Sequence, residues 1–148
     1  MTYLKVGFYF LFISLISMSS FSTASERTIV YVSPNPIGNN PFLVMGKEGT
    51  DEAATKHGAN SSTIESDTPQ AILENLYVAA NEGADIIVAL SFSAVDPVAE
   101  VAAVSPDTQF LLVDACLQGE RPKNVHCAVF REHEASFLMG AMAAMQTK

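Results

Sequence analysis

The chain has few basic residues and no run of them: eight Lys and Arg stand against sixteen Asp and Glu, a formal net charge of −8 over 148 residues. Such a surface repels phosphate backbones, so no nucleic acid is expected as a partner. There is no Gly-x-Ser-x-Gly elbow and no glycine-rich phosphate loop, and Cys116 and His126 lack the surroundings of a nucleophile. A zinc helix is also missing. His133-Glu134-Ala135-Ser136-Phe137 has no second histidine one turn on, and Glu132-His133-Glu134 reads better as the solvated first turn of a helix carrying two favourable carboxylates. His57 and His126 have no clustered neighbours. Internal repeats and low-complexity tracts are absent. These gaps argue against an enzyme and for a chain without cofactor or metal.

One apolar run does not belong to a folded domain. Residues 1–24 carry Lys5, then an apolar stretch from Val6 to Met18, then small residues ending Ser22-Thr23-Ala24. That is the three-part pattern of a cleaved secretory signal, and its core is shorter than the roughly 20 residues of a spanning helix. No cysteine stands near the cleavage site to take a lipid. A periplasmic product without a lipid anchor is expected, with 25–148 as one domain.

Cys116 and Cys127 are the only cysteines, and an oxidising compartment lets them pair. If Cys116 lies beyond one strand and Cys127 inside a parallel neighbour, their Cα atoms are about 10 Å apart, outside disulfide reach. Antiparallel strands would remove that objection. A disulfide and two buried free thiols both stay open.

What remains repeats one pattern of apolar strand, polar loop and amphipathic helix. Gly83 to Phe92 (GADIIVALSF) holds the apolar run Ile86–Leu90, which needs cover on both faces and reads as a central strand. Other strands are expected at Thr28–Ser33, at Ser61–Glu65 as a polar edge, at Gln109–Asp114 and at Val125–Phe130. The first helix is expected from Phe42 to about His57, burying Phe42, Met45, Ala53 and Ala54, with Gly58 after its end. Gly46 and Gly49 weaken it and suggest close packing on the sheet. Thr68-Pro69 starts the second helix as N-cap and first turn, with Ile72, Leu73, Leu76 and Ala80 at helical spacing. The third runs from about Ala94 to Val104, the last from Glu132 to about Met145. The fold class is α/β: a three-layer αβα domain with a mostly parallel sheet of about five strands.

In such a sheet the strands' carboxyl ends share one edge, where small molecules bind. Asn39, Asn40, Phe42, Ser91, Phe92 and Asp114 would face one crevice there. An aromatic ring can stack on a ligand ring, and the carboxylate and amides can hydrogen-bond hydroxyls. Either phenylalanine alone would more often be core. Asp114 follows Phe110-Leu111-Leu112-Val113, where a carboxylate without a partner is costly. Asp96 serves equally as a helix N-terminal charge.

Asn39-Asn40-Pro41-Phe42, Ile72–Phe92, Asp96, Gln109–Asp114 and above all Asn124–Met145 (NVHCAVFREHEASFLMGAMAAM) resemble the basic membrane protein family. These are purine nucleoside receptor-like substrate-binding proteins of ABC importers, with the two-domain type I periplasmic binding protein fold. The resemblance implies capture of a purine nucleoside and delivery to an ABC permease at the inner membrane. It places Asn39 at a ligand-contacting position that is usually acidic, Phe42 at the stacking position and Asp114 as a hydrogen-bonding residue. Where the family usually carries Gly-Phe, this chain has Ser91-Phe92. Gly38–Phe42 also resembles the first loop of ribose-type sugar receptors, so a sugar is the alternative ligand. A periplasmic sensor domain and a non-functional fragment are further alternatives. After Met145 only Gln146-Thr147-Lys148 remain, so the expectation is a first lobe whose second lobe is missing.

Overall fold

Aliphatic and β-branched strands here alternate with capped helices. In the computed structural model, which describes residues 26–147, the elements are β1 (Thr28–Ser33), α1 (Pro41–His57), β2 (Asn60–Glu65), α2 (Pro69–Asn81), β3 (Ile86–Leu90), α3 (Val95–Val104), β4 (Gln109–Val113), β5 (Val125–Ala128) and α4 (Glu132–Gln146). A single 3-10 turn, Phe92–Ala94, leads into α3. The expected secretory signal at 1–24 lies outside the described residues.

All four strand pairs are parallel, in the spatial order β2-β1-β3-β4-β5. The apolar β3 stands at the centre and the polar β2 at an edge. Each side chain alternation along a strand divides the core in two. Val30, Val32, Ile87, Ala89, Phe110 and Leu112 meet Ile72, Leu76 and Ala79 of α2 and Val98 and Val101 of α3. On the opposite face Ile29, Tyr31, Val88 and Leu90 meet Leu43 and Ala54 of α1.

Local signals set the helix ends. The Thr68 hydroxyl accepts from the Ala71 N–H at 3.1 Å, with Pro69 in the first turn where no N–H is needed. α1 ends at Gly58, whose φ of 63° is the left-handed cap that glycine adopts without a Cβ penalty.

The second face is only half covered. Among the expected core positions of α1, Ala54 is buried, Phe42 is half-buried, and Met45 and Ala53 are exposed; Leu43 and Thr50 are buried instead. The reason is that α4 packs on neither face, and none of its residues is buried. Gly46 does allow close packing: a Cβ there would lie 2.9 Å from the Tyr31 hydroxyl and 3.0 Å from Leu90 Cδ2. Gly49 does not, since a Cβ there meets nothing within 4 Å. It borders a groove of about 490 Å³ between α1 and the bare part of the sheet.

One buried amide joins three segments. Asn124 Nδ2 donates to the carbonyls of Ala102 at 3.2 Å, Ser105 at 3.0 Å and Thr108 at 3.0 Å, tying the end of α3 to the start of β4 and β5. Replacing Asn124 by Ala strands these carbonyls, and leaving buried polar groups unpaired costs on the order of 1–3 kcal/mol. Asn124→Ala is therefore expected to lower the urea midpoint by an amount equivalent to about 2 kcal/mol. An unchanged midpoint would show that water replaces the amide.

Candidate functional site

The parallel register decides which chain segments meet. Leu90 pairs with Val113, the Ser91 N–H donates to the Val113 carbonyl at 2.9 Å, and the Asp114 N–H donates to Ala128 at 2.8 Å. Ser91 and Asp114 thus leave neighbouring strands at the same carboxyl edge, with backbones about 5 Å apart. β1 ends at that edge too, since Val32 pairs with Ala89. The order β2-β1-β3 reverses the winding between β1 and β3, and the carboxyl ends on either side of such a switch point form a crevice. The loop carrying Asn39 and Asn40 and the Ser91-Phe92 pair flank it; Asp114 is one strand further along.

Backbone strain marks the same edge. Ser91 has φ 77° and ψ 161°, and Asp114 has φ 68°; among the described residues these are the non-glycine positions with positive φ. Asp tolerates the left-handed region, whereas the Ser91 conformation belongs to glycine, and strain of this kind clusters at functional sites. Phe92 is 78% exposed, so no core explains it.

The first loop divides differently. Asn39 is exposed, but the Asn40 side chain is committed as the N-cap of α1, its Oδ1 accepting from the Phe42 N–H at 3.0 Å. Asn40-Pro41 is the same cap and first-turn pair as Thr68-Pro69, a signal present in the sequence. Phe42 is half-buried against the Ile29–Leu90 core and lines the groove on the sheet face, which no other candidate residue does. Its packing role is plain.

Two supporting residues were not legible beforehand. Glu65 Oε2, at the end of β2, accepts from the Ile37 N–H at 3.0 Å, and the buried Ser33 hydroxyl donates to the Asn35 carbonyl at 2.7 Å. Together they brace the loop after β1 from below. A polar edge strand gives no hint of that task.

The loop after Asp114 is pinned covalently. Cys116 and Cys127 form a disulfide with Cα atoms 5.4 Å apart, although β4 and β5 are parallel. The geometric objection fails because the chain reverses at Asp114 and brings Cys116 back over β5 instead of continuing along the strand. Arg121 Nη1 lies 3.4 Å and 3.5 Å from the two sulfurs. Partial burial of Asp114 and the neighbouring Glu132 carboxylate push its carboxyl above the ordinary value of 3.8. Asp96 sits in the first turn of α3, and the described residues contain no group of metal-ligating side chains, Glu132-His133-Glu134 included.

Residues 26–148 match the family model for Bmp, the ABC transporter substrate-binding proteins of the PnrA-like kind. The chain belongs to this family. Bmp proteins bind substrates and are not enzymes. BmpA of Lactococcus lactis, an ABC transporter nucleoside-binding protein, is 25% identical over 126 residues, 82% of this chain and 35% of that protein. A solute-binding protein of an ABC transporter system from Aeropyrum pernix is 28% identical with a TM-score of 0.68, over 77% of this chain and 31% of that one. One from Conexibacter woesei, 18% identical with a TM-score of 0.57 over 68% of this chain and 34% of its own, shares the fold. The chain spans about a third of the length of these relatives.

The torsion angles of Ser91 are ones that glycine adopts without strain. Relief of that strain, offset by the greater freedom of glycine in the unfolded chain, leaves a net gain for Ser91→Gly of about 1–2 kcal/mol. Urea unfolding is expected to show the raised midpoint. A lowered midpoint would mean that the serine hydroxyl stabilises the edge more than its backbone strains it.

Proposed function

We propose that this chain is the first lobe of an extracytoplasmic receptor that captures a purine nucleoside and hands it to an ABC permease. Membership of a substrate-binding family supports the receptor class, and the nucleoside-binding relative supports the ligand. The observation that carries the site is the convergence, at one carboxyl edge, of the strained Ser91, the exposed Phe92 and the pinned Asp114.

Each group has a task suited to its chemistry. Phe92 presents a free ring for stacking on the base. The Asp114 carboxylate accepts hydrogen bonds from ribose hydroxyls or from a base N–H. Asn39 reaches the ligand from the first loop, while Asn40 and Phe42 hold that loop on α1. A nucleoside is neutral, so an acidic chain meets no electrostatic obstacle in binding it. The edge of one lobe is open to solvent and covers one side of a ligand, and a second lobe closing over it would supply the rest.

Isothermal titration with inosine, guanosine, adenosine and ribose tests this reading. A nucleoside is expected to bind, and Asp114→Asn is expected to weaken it by about tenfold or more, the value of a charge-assisted hydrogen bond of roughly 1.5–3 kcal/mol. Phe92→Ala is expected to weaken binding by a similar factor, since a stacked base is worth about 1–3 kcal/mol. Both variants should melt with the parent because neither side chain is buried. Acidification should release the ligand as Asp114 protonates, at a pH above that of a carboxylate with the ordinary value of 3.8. Binding of ribose with no nucleoside would identify a sugar receptor, and parental affinity in both variants would move the site elsewhere.

A further inference from the structure

Asp114 stands at the apex of a short loop whose two feet rest on one residue. Before it, Leu112 is the register partner of Cys127 in β5; beyond it, Cys116 is bonded to that same Cys127, with Cα atoms 5.4 Å apart. The chain turns back between the two feet through the left-handed φ of 68° at Asp114, and the Asp114 N–H donates to the Ala128 carbonyl at 2.8 Å. The first foot is secured by the sheet. The second has less to hold it: among the described residues no backbone-to-backbone hydrogen bond involves residues 115–121, and apolar contact with the α2–α3 core comes from the half-buried Ala115 and Leu117.

We propose that the Cys116–Cys127 bridge is a positioning element of the ligand site, so that affinity follows the oxidation state of its two sulfurs. The inference rests on the proposed function, in which the Asp114 carboxylate accepts hydrogen bonds from a ligand. A left-handed backbone is disfavoured for a residue with a Cβ, and aspartate tolerates it without selecting it. Register therefore fixes where Asp114 begins, while the bridge fixes the direction in which the chain leaves it. With the bridge closed, the carboxylate is presented in one place and little ordering is left to the binding step. With it open, residues 114–121 regain backbone freedom, and a hydrogen bond to the ligand must first order them. Opening is a balanced exchange: a dithiol transfers two electrons and two protons to the bridge, leaving two cysteine thiols, and itself closes to a cyclic disulfide. Arg121 Nη1, at 3.4 Å and 3.5 Å from the sulfurs, favours the thiolate that leaves in the first step of that exchange.

Amide hydrogen exchange tests the positioning with no ligand present. In Cys116→Ala combined with Cys127→Ala, the Asp114 N–H is expected to exchange about tenfold faster or more. The Ser91 N–H, bonded to the Val113 carbonyl on the neighbouring strand, should keep its rate. Isothermal titration with inosine, guanosine and adenosine tests the consequence for affinity. The double variant is expected to bind about tenfold more weakly than the parent, close to the loss in Asp114→Asn. With Asp114→Asn already in place, removing the bridge should change affinity by less than about twofold, because both changes remove one interaction. A purely structural role would lower affinity alike in both backgrounds. Reduction of the unaltered chain with dithiothreitol should reproduce the loss and reoxidation should reverse it, which keeps the test open if the double variant folds poorly. An Asp114 N–H that exchanges at the parental rate would overturn the proposal, as would parental affinity without the bridge or an equal loss in both backgrounds. A parent chain that binds no nucleoside would overturn the proposed function and with it the dependence of affinity on the bridge, and the exchange rates would still decide whether the bridge places Asp114.

Discussion

The parallel hydrogen bonding of β3 between β1 and β4 is the constraint on which the rest depends. It buries the run Ile87–Leu90 on both faces, which no two-layer arrangement could do. It also fixes what lies beyond the strands. With Leu90 opposite Val113, Ser91 and Asp114 must emerge side by side, and the loop after β1 must emerge beside them. The crevice is a consequence of register before it is a consequence of any functional residue.

That register explains how much was readable in the residues. The alternation of strands and helices was legible because each signal is local: the aliphatic run of β3, the Thr68-Pro69 start of α2, the glycine after α1. The carboxyl-edge position of Asp114 followed from strand direction alone. The disulfide did not follow, because it depends on a left-handed residue at Asp114 that turns the chain back over β5. No spacing rule between Cys116 and Cys127 encodes such a reversal. Pro41 marks Asn40 as an N-cap, the signal that also starts α2 at Thr68, and that role stands beside its candidacy for ligand contact. Helical periodicity shows which side of α1 is apolar but not how much of the sheet beneath it is covered, so Met45 and Ala53 match a core pattern and yet lie exposed.

Stability and the proposed function draw on different parts of the molecule. The α2–α3 face is a finished core, closed by aliphatic packing and stapled by Asn124. The α1 face is unfinished, with a groove along α1 and a bare α4. The carboxyl edge is held from both sides, by Glu65 and Ser33 beneath the first loop and by the disulfide behind Asp114. Such bracing suits an edge that must present groups in fixed places, because orienting a loop in advance removes part of the entropic cost of binding. Membership of the Bmp family gives the substrate-binding class, and the proposed site assigns that task to this edge.

The most direct test of the carboxyl-edge site is an amide correlation spectrum of the chain titrated with a purine nucleoside. The account predicts concentration-dependent shifts at Ser91, Phe92, Asp114 and Asn39, with the opposite edge at Thr28, Asp85 and Gln109 unmoved. Shifts confined to the α1 groove, or spread along the amino edge, would contradict it.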